Sequence, residues 1–361
     1  MGIRIISFTE KGIRLSKRVA EIFRNEDVEV FTKCSAKKDL KDLSFVRMVE
    51  EPIGEWAGKQ MAEKHTLIFI GACGIAVRAI APCITDKLHD HAVLVMDENG
   101  NYIIPILSGH VGGANEIAAK IAAKTGARAV ITTATDQNDK FAVDLFAKRN
   151  GLYIEKKEGI AKVSSNILAG NAVRMAVEQG HLAENLSLPE GLILRECPMI
   201  AAQMANQPAD IVITTKNQIK GTLLTLKPRE YILGIGCKKG KSEEHIHTLI
   251  QKHMAEFGIS AEQIYAVASI DKKKDESGLV AWCRKQGIPF LTYTAEQLSQ
   301  MTGDFHASDF VKEQVGVDNV CERAALCACQ HGGKLVYNKH AEAGMTIAIA
   351  KREWRITFDE K

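Results

Sequence analysis

The feature that most limits the fold is an alternation of short apolar runs with amphipathic stretches. Ile3–Phe8 and Val28–Thr32 are predicted strands, and Gly12–Arg24 between them repeats apolar residues at helical spacing. Leu67–Ile70 is apolar throughout, without alternation, which is typical of a strand buried on both faces of a sheet. This rhythm predicts an α/β fold with open, partly parallel sheets, helices on both faces, and sites at the carboxyl ends of strands.

The rhythm weakens in the middle of the chain and returns at Tyr231. We therefore expect several domains rather than one. The predicted segments are an amino-terminal α/β domain over residues 1–138, a smaller α+β middle domain over 139–228 and a carboxyl-terminal α/β domain over 229–361.

Composition excludes several classes of protein. Hydrophobic residues make up 46% and charged residues 25%, which is ordinary for a globular protein and excludes extended disorder. A net charge of +3 provides no basic field for nucleic acid. No apolar run reaches the ~20 residues of a membrane span. We expect a cytoplasmic protein whose 9 cysteines are reduced thiols.

Two glycine-rich turns each follow a predicted strand, at Gly71–Gly74 and at Gly234–Gly240. Glycine lets the backbone approach a ligand closely, and the N–H groups at a helix start attract anions. The second turn fits neither nucleotide motif, because Lys239 replaces the third glycine of a dinucleotide turn and Ile235 replaces the first glycine of a P-loop. Two interpretations stay open: an anion site that uses Lys238 and Lys239, and a purely structural turn.

The string Ser108-Gly-His-Val-Gly-Gly-Ala-Asn115 places His110 between a strand end and a glycine pair that opens a helix. The imidazole and the N–H groups of Gly112 and Gly113 could form a base beside an oxyanion-stabilising site. The alternatives are a helix cap made by Ser108 and a histidine that simply packs in the core.

A second polar string, Thr132-Thr-Ala-Thr-Asp136, ends the next predicted strand. It brings the hydroxyls of Thr133 and Thr135 and the carboxylate of Asp136 to the edge where His110 is expected. The alternative is a set of turn and capping residues.

Charged residues elsewhere allow two interpretations each. Arg78 and Lys87 lie among acidic residues and the histidine His91, either on a solvated face or as a clamp for a polycarboxylate ligand. Glu322, on a predicted helix over Val320–Cys329, could contact a ligand, although a surface or capping carboxylate is the alternative. The cysteines of that helix have no C-x-x-C spacing, so we expect no metal site.

Eight strings in the chain carry a resemblance to a known family. They are Leu67–Pro82, Asp86-Lys87, Leu107–Asn115, Ile131–Asp136, Phe141–Asn150, Leu233–Gly240, Val315–Leu326 and Met345–Ala350. Together they resemble the cobalt-precorrin-5A hydrolase family of anaerobic cobalamin biosynthesis, and they occur in the family's order. Residues 151–227 and those before residue 50 depart most from the pattern.

The resemblance implies a reaction. Water would open the δ-lactone of a cobalt tetrapyrrole, cobalt-precorrin-5A, and acetaldehyde would leave to give cobalt-precorrin-5B. Cobalt would arrive within the substrate, so no cofactor of the protein's own is expected. The expected partners are the cobalt-tetrapyrrole substrate and, transiently, other enzymes of the pathway, with no nucleic acid and no membrane.

On this basis we expect His110 to activate water or shuttle a proton, and Asp136 to orient His110 or to serve as an alternative base. The residues expected to bind the substrate are Gly71, Gly74, Arg78, Lys87, Ser108, Gly112, Gly113, Asn115, Thr133, Thr135, Gly234, Gly236, Lys238, Lys239 and Glu322. The ligand would lie in a cleft between domains.

Two other functions fit the same residues. A non-catalytic carrier or scaffold for a cobalt tetrapyrrole would need the carboxylate clamps but no positioned base. An enzyme that acts on a phosphorylated small molecule would use the glycine turns.

Overall fold

A computed structural model of the chain describes residues 2–35, 44–86, 90–134, 140–198, 208–217, 219–329 and 332–358, without the side chain of Phe310. Its contacts divide the chain into two units, Met1–Lys140 and Phe141–Lys361. The predicted boundaries at residues 138 and 228 stay predictions. None of the helices in the described part of the chain is long and apolar enough to cross a membrane.

The first unit is built on a sheet that has seven strands within the described residues. They are β1 (Ile3–Ser7), β2 (Val28–Thr32), β3 (Val46–Met48), β4 (Thr66–Ile70), β5 (Val93–Met96), β6 (Tyr102–Leu107) and β7 (Arg128–Ala129). Their order is β3-β2-β1-β4-β5-β6-β7. Strands β1 to β5 are parallel, whereas β6 runs antiparallel to β5 and β7 runs parallel to β6. The sequence Asp97-Glu-Asn-Gly100 predicts a hairpin turn, and the antiparallel pairing of β5 with β6 confirms it.

Helices cover both faces of this sheet. They are α1 (Glu10–Ile22), α2 (Ile53–Ala62), α3 (Cys73–Ile80), followed by the 3-10 helix Ala81–Cys83, and α4 (Ala114–Thr125). Ile68 and Ile70 share one core with α1 and α4, and Leu67 and Phe69 share the other with Trp56 of α2 and with α3. Successive residues of a strand point to opposite faces. The prediction that Leu67–Ile70 is buried on both faces is confirmed.

The second unit contains two further sheets in the described residues. The first has β8 (Leu152–Ile154), β9 (Val173–Glu178), β10 (Leu192–Cys197), β11 (Ile211–Ile213) and β12 (Leu224–Pro228), in the order β10-β9-β11-β12-β8. Only β8 in this sheet is antiparallel to its neighbour. Its helices are α5 (Val143–Arg149) and α6 (Glu158–Leu168).

The last sheet has the order β15-β14-β13-β17-β16, with the strands β13 (Tyr231–Cys237), β14 (Ile264–Ile270), β15 (Phe290–Tyr293), β16 (Gly333–Glu342) and β17 (Met345–Arg352). Its helices are α7 (Glu243–Phe257), α8 (Ser277–Gln286), α9 (Ala295–Ser299), α10 (Asp309–Val315) and α11 (Cys321–Cys327), with 3-10 helices at Ala261–Gln263 and Asp271–Lys273. The runs Lys334–Tyr337 and Thr346–Ala350 predict a hairpin-like pair of strands, and the antiparallel pairing of β16 with β17 confirms it. The α/β fold class is confirmed as well.

The segment after β17, residues 353–358, links the last sheet to the other sheet of the second unit through the contacts of Trp354 and Thr357. The Trp354 ring stacks on the ring of His181 at 3.6 Å. The Thr357 N–H donates to the side-chain oxygen of Asn150 at 2.9 Å. Trp354 and Ile356 are buried, so the segment belongs to the core of this unit.

Candidate functional site

Residues Ser108–Asn115 form a tight loop between β6 and α4. The Ala114 N–H donates to the Ser108 carbonyl at 3.1 Å, and the Asn115 N–H donates to the Gly109 carbonyl at 3.0 Å. The Ser108 hydroxyl in turn donates to the Asp90 carbonyl. These bonds fix the main chain around His110 before any ligand binds.

The glycine pair in this loop has two different structural causes. A Cβ at Gly112 would lie 2.4 Å from the Cβ of Ser108, so only glycine fits there. Gly113 has a φ of 83° and directly precedes α4. The Gly113 N–H already donates to the His110 carbonyl at 3.0 Å. An oxyanion would have to displace the His110 carbonyl from this N–H, and the oxyanion roles of Gly112 and Gly113 both stay predictions.

Strand direction decides where the loop lies. Because β6 is antiparallel to β5, Leu107 at the end of β6 pairs with Val93 at the start of β5. The loop therefore lies at the edge where β4 and β5 begin. Gly71 lies at the opposite edge, where its N–H donates to the carbonyl of Met96, the last residue of β5. A strand of this length spans about 13 Å. The loop and the Gly71 turn therefore lie at opposite edges of the sheet.

At the Gly71 edge, α3 presents a cation beside apolar surface. A Cβ at Gly74 would lie 3.2 Å from Nη2 of Arg78, so the guanidinium lies over the first turn of its own helix. Cys73 and Val77, one turn apart, are both exposed, with Val77 at 50%. This face could bind a flat apolar ligand that carries carboxylates.

At the loop edge, the side chain of Asp90 is buried rather than solvated. Asp90 is 7% exposed, and its carboxylate accepts from the N–H and the hydroxyl of Thr85, both at 2.8 Å. Both ring nitrogens of His91 are buried and have no hydrogen-bond partner among the described residues. Burial, followed by the charge of Lys64, lowers the pKa of His91 from 6.5 to about 4. His91 is therefore neutral at pH 7. The interpretation as a solvated face does not hold for Asp90 or for the ring nitrogens of His91, whereas Arg78 is exposed.

Sequence reasoning missed the environment of His91, although one signal was available. The residue comes directly before the buried run Ala92–Met96. A histidine that precedes a buried strand is more enclosed than its charged neighbours in the sequence suggest.

The two polar strings meet through one side-chain contact. Nδ2 of Asn115 donates to Oγ1 of Thr133 at 3.1 Å, which joins the loop to the segment after β7. Three predicted site residues, Lys87, Thr135 and Asp136, lie outside the described residues.

In the second unit, the glycines of Gly234–Gly240 are used mainly for packing. Strand β13 continues to Cys237, so Gly234 and Gly236 lie in a strand rather than in a turn. A Cβ at Gly234 would lie 1.8 Å from the carbonyl oxygen of Cys321 in α11, and one at Gly236 would lie 2.6 Å from Oγ1 of Thr346. Close approach of α11 to the sheet requires glycine at position 234. Contact of either glycine with a ligand stays a prediction.

In the turn that follows β13, a backbone N–H already binds a carboxylate of the protein itself, that of Glu276. The Gly240 N–H donates to Oε1 of Glu276 at 2.6 Å, and Nζ of Lys273 donates to Oε2 at 2.8 Å. Burial alone would raise the pKa of Glu276, but these hydrogen bonds and the lysine charge keep that pKa below 4.5. A ligand anion at this N–H would have to displace Glu276, so the structural interpretation of the turn is favoured. A role for Lys238 and Lys239 stays a prediction.

Glu322 is not the surface carboxylate that the sequence suggested. Its side chain is 0% exposed and bonds to Nδ1 of His306 at 2.9 Å. The side chain is enclosed by the protein, and its role in binding the substrate stays a prediction. The neighbouring Cys321 is also buried, which raises the pKa of its thiol to about 11.

Metal-binding groups do not gather in the described part of the chain. No three His, Cys, Asp or Glu side chains lie close enough there to hold an ion. The structure describes all nine cysteines, and no disulfide joins them.

Two protein-family models match the chain. The model described as Cobalamin synthesis G N-terminal matches residues 55–136, and the model described as Cobalamin synthesis G C-terminus matches residues 231–350. The loop Ser108–Asn115 lies within the first match, and Gly234–Gly240 and Glu322 lie within the second.

Three similar proteins cover nearly the whole chain. A cobalt-precorrin-5A hydrolase from Priestia megaterium is 30% identical over 96% of this chain and 94% of its own. The protein of the same name from Salmonella typhimurium is 30% identical over 96% of this chain and 97% of its own. A crystal structure of a cobalamin biosynthesis protein G homolog from Sulfolobus solfataricus is 22% identical, covers 98% of this chain and 97% of that chain, and has a TM-score of 0.40.

Proposed function

The chain belongs to the cobalt-precorrin-5A hydrolase family, and we propose that it opens the δ-lactone of cobalt-precorrin-5A with water and releases acetaldehyde to give cobalt-precorrin-5B. It is an enzyme of cobalamin biosynthesis. The observation that carries the proposal is the 30% identity with a cobalt-precorrin-5A hydrolase along 96% of the chain.

The reaction has two chemical demands. Water attacks the lactone carbonyl, so a base must take a proton from that water and donors must stabilise the tetrahedral oxyanion. The C–O bond of the lactone then breaks and leaves a hydroxyl on a two-carbon fragment, which departs as acetaldehyde when its C–C bond to the macrocycle breaks. The proposal assigns cobalt to the substrate and assigns no metal to the protein.

We assign the activation of water to His110. Backbone hydrogen bonds fix its loop, and neutral His91 lies at the same edge of the sheet. A base carried on a fixed main chain needs little reorganisation of its surroundings to accept a proton. Asp136 is proposed to orient His110 or to serve as an alternative base, and the Gly112 N–H is proposed as an oxyanion donor.

Substrate binding is proposed for the exposed face of α3. Arg78 supplies a cation next to the apolar side chain of Val77, which suits a flat macrocycle bearing acetate and propionate groups. Lys87, Thr135, Lys238 and Lys239 remain proposed contacts of the same carboxylates. The proposal places the reaction in the cytoplasm, with transient contacts to other enzymes of the pathway.

The decisive experiment mixes the purified chain with cobalt-precorrin-5A without oxygen and traps the acetaldehyde. Release with turnover supports the hydrolase. Tight binding without release would support a non-catalytic carrier, and the absence of binding would contradict both functions.

A variant tests the assignment of His110. His110→Gln keeps a polar side chain but removes the base, so we expect kcat for lactone opening to fall about 100-fold or more. His340→Gln, which removes an exposed histidine of the second unit, serves as the control. A normal kcat with a raised KM would instead make His110 a binding residue.

A further inference from the structure

A buried carboxylate on α11, the helix that packs on the last sheet, accepts four hydrogen bonds. Oε2 of Glu322 accepts the backbone N–H of His306 at 2.9 Å, and Oε1 accepts the backbone N–H of Lys339 at 2.8 Å. Asn319 donates to Oε2 through Nδ2, and the His306 ring donates to Oε1. Burial alone would raise the pKa of Glu322, but these hydrogen bonds outweigh burial and keep it below 4.5. Glu322 is therefore ionised at neutral pH.

The charge on Glu322 determines the tautomer of the His306 ring. An ionised carboxylate only accepts hydrogen bonds, so Nδ1 of His306 must carry the proton in their 2.9 Å contact. In a neutral imidazole, Nε2 is then left as the acceptor. The His306 side chain is 59% exposed although its carboxylate partner is 0% exposed. The chain thus presents an oriented, proton-accepting nitrogen at its surface.

A purely structural role would not need the ring. The main chain of His306 is already held, because its N–H donates to Glu322 and its carbonyl accepts from Nδ2 of Asn319 at 3.0 Å and from Nζ of Lys339 at 3.2 Å. The ring adds one more bond to the same carboxylate and stays mostly in solvent, so it buries little surface. An exposed imidazole fixed through Nδ1 by a buried carboxylate is the arrangement of an acid–base catalyst.

We propose that His306 is a second catalytic acid–base residue of the enzyme and that Glu322 is its positioning residue. The inference rests on the proposed function and concerns the release of acetaldehyde rather than lactone opening. Nε2 takes the proton of the freed hydroxyl, and the O–H electron pair becomes the carbonyl bond of acetaldehyde. The C–C bond breaks, and its electron pair passes to the macrocycle. The imidazolium then returns its proton either to the macrocycle or to water.

Single-turnover kinetics of the full chain separate the two steps. For His306→Gln we expect acetaldehyde release to slow about 100-fold or more, while lactone opening continues and the opened hydroxy acid accumulates. In His306→Ala, added imidazole should restore part of the release rate. The control is His340→Gln, another exposed histidine of the same unit, which should release acetaldehyde at the wild-type rate.

The pH profile tests the positioning role of Glu322. The charged groups that contact His306 are Glu322 and Lys339. In Glu322→Gln the amide donates as well as accepts, so Nδ1 of His306 no longer has to carry the proton. We expect kcat for release to fall with KM unchanged and the pH profile of release to change. Thermal unfolding of each variant shows whether a rate loss reflects a loss of fold.

Two results would overturn the inference, and they are distinguishable from failure of the proposed function. Wild-type release by His306→Gln, or equal slowing of opening and release without rescue by imidazole, would make His306 a structural residue. If the wild-type chain itself releases no acetaldehyde, the proposed function fails and the inference fails with it.

Discussion

The loop Ser108–Asn115 and the pair His306–Glu322 hold a histidine in opposite ways. The loop is fixed by backbone hydrogen bonds and by glycines that leave no space for a Cβ, and its neighbour His91 is neutral and enclosed. The pair is fixed by one ionised carboxylate, which collects donors from three segments. We therefore expect the stability of the first region to depend mainly on side-chain volume and local hydrogen bonds. The stability of the second region should depend mainly on charge.

The largest expected effect tests whether the second region also depends on volume. Gly234→Ala places a Cβ 1.8 Å from the carbonyl oxygen of Cys321, next to Glu322. Backbone must move, so we expect the free energy of unfolding to fall by about 3 kcal/mol, measured in urea. Gly236→Ala meets the rotatable hydroxyl of Thr346 and should cost less. Equal losses would mean that α11 does not pack as described.

The next largest effect is the dependence of stability on pH, which should differ between the two regions. His91, with its pKa lowered from 6.5 to about 4, resists protonation when folded, so stability should fall as the pH drops through that window. The loss should be on the order of 2 kcal/mol after allowing for partial exposure. Glu322, with its pKa below 4.5, stabilises the fold above that pH, and its contribution is lost only as the pH falls further.

Urea unfolding at a series of pH values checks this order of events. His91→Phe should flatten the stability curve between pH 6.5 and about 4 and leave the more acid loss in place. An unchanged curve in this variant would show that His91 is solvated in the folded chain.

The smallest effect concerns the contact that joins the two polar strings of the first unit. Asn115→Ala removes the 3.1 Å bond from Nδ2 to Oγ1 of Thr133. We expect a loss of about 1 kcal/mol, with Thr133→Val giving a similar loss and the double variant little more. Additive losses would show that the two side chains do not interact.

Periodicity and turn chemistry were sufficient to predict most of the strands and helices. Leu67–Ile70 had to be a doubly buried strand because it lacks alternation, and Asp97–Gly100 had to be a hairpin turn because it combines Asp, Asn and Gly. Trp354–Phe358 was not predicted to belong to the core, because its partners are His181 and Asn150, far away in the sequence.

The sequence motifs of the candidate sites could be predicted, but their arrangement in three dimensions could not. The resemblance identified Ser108–Asn115 and Glu322, and the hairpin turn at Asp97–Gly100 implies that β6 reverses direction. The separation of the loop from Gly71, however, follows only from the tertiary order of the strands. The partner of Glu322 was missed for the same reason. His306 lies in an irregular segment with no periodicity, and only tertiary contacts bring it to the carboxylate.

Lactone hydrolysis is tested most directly by following oxygen from water into the product during turnover. The wild-type chain is given cobalt-precorrin-5A in water labelled with heavy oxygen, without air, and the macrocyclic product is analysed by mass spectrometry. Attack of water on the lactone carbonyl predicts one heavy oxygen in the carboxylate of the product and one acetaldehyde trapped per macrocycle. Acetaldehyde released from a macrocycle that carries no label would contradict lactone hydrolysis as the reaction of this enzyme.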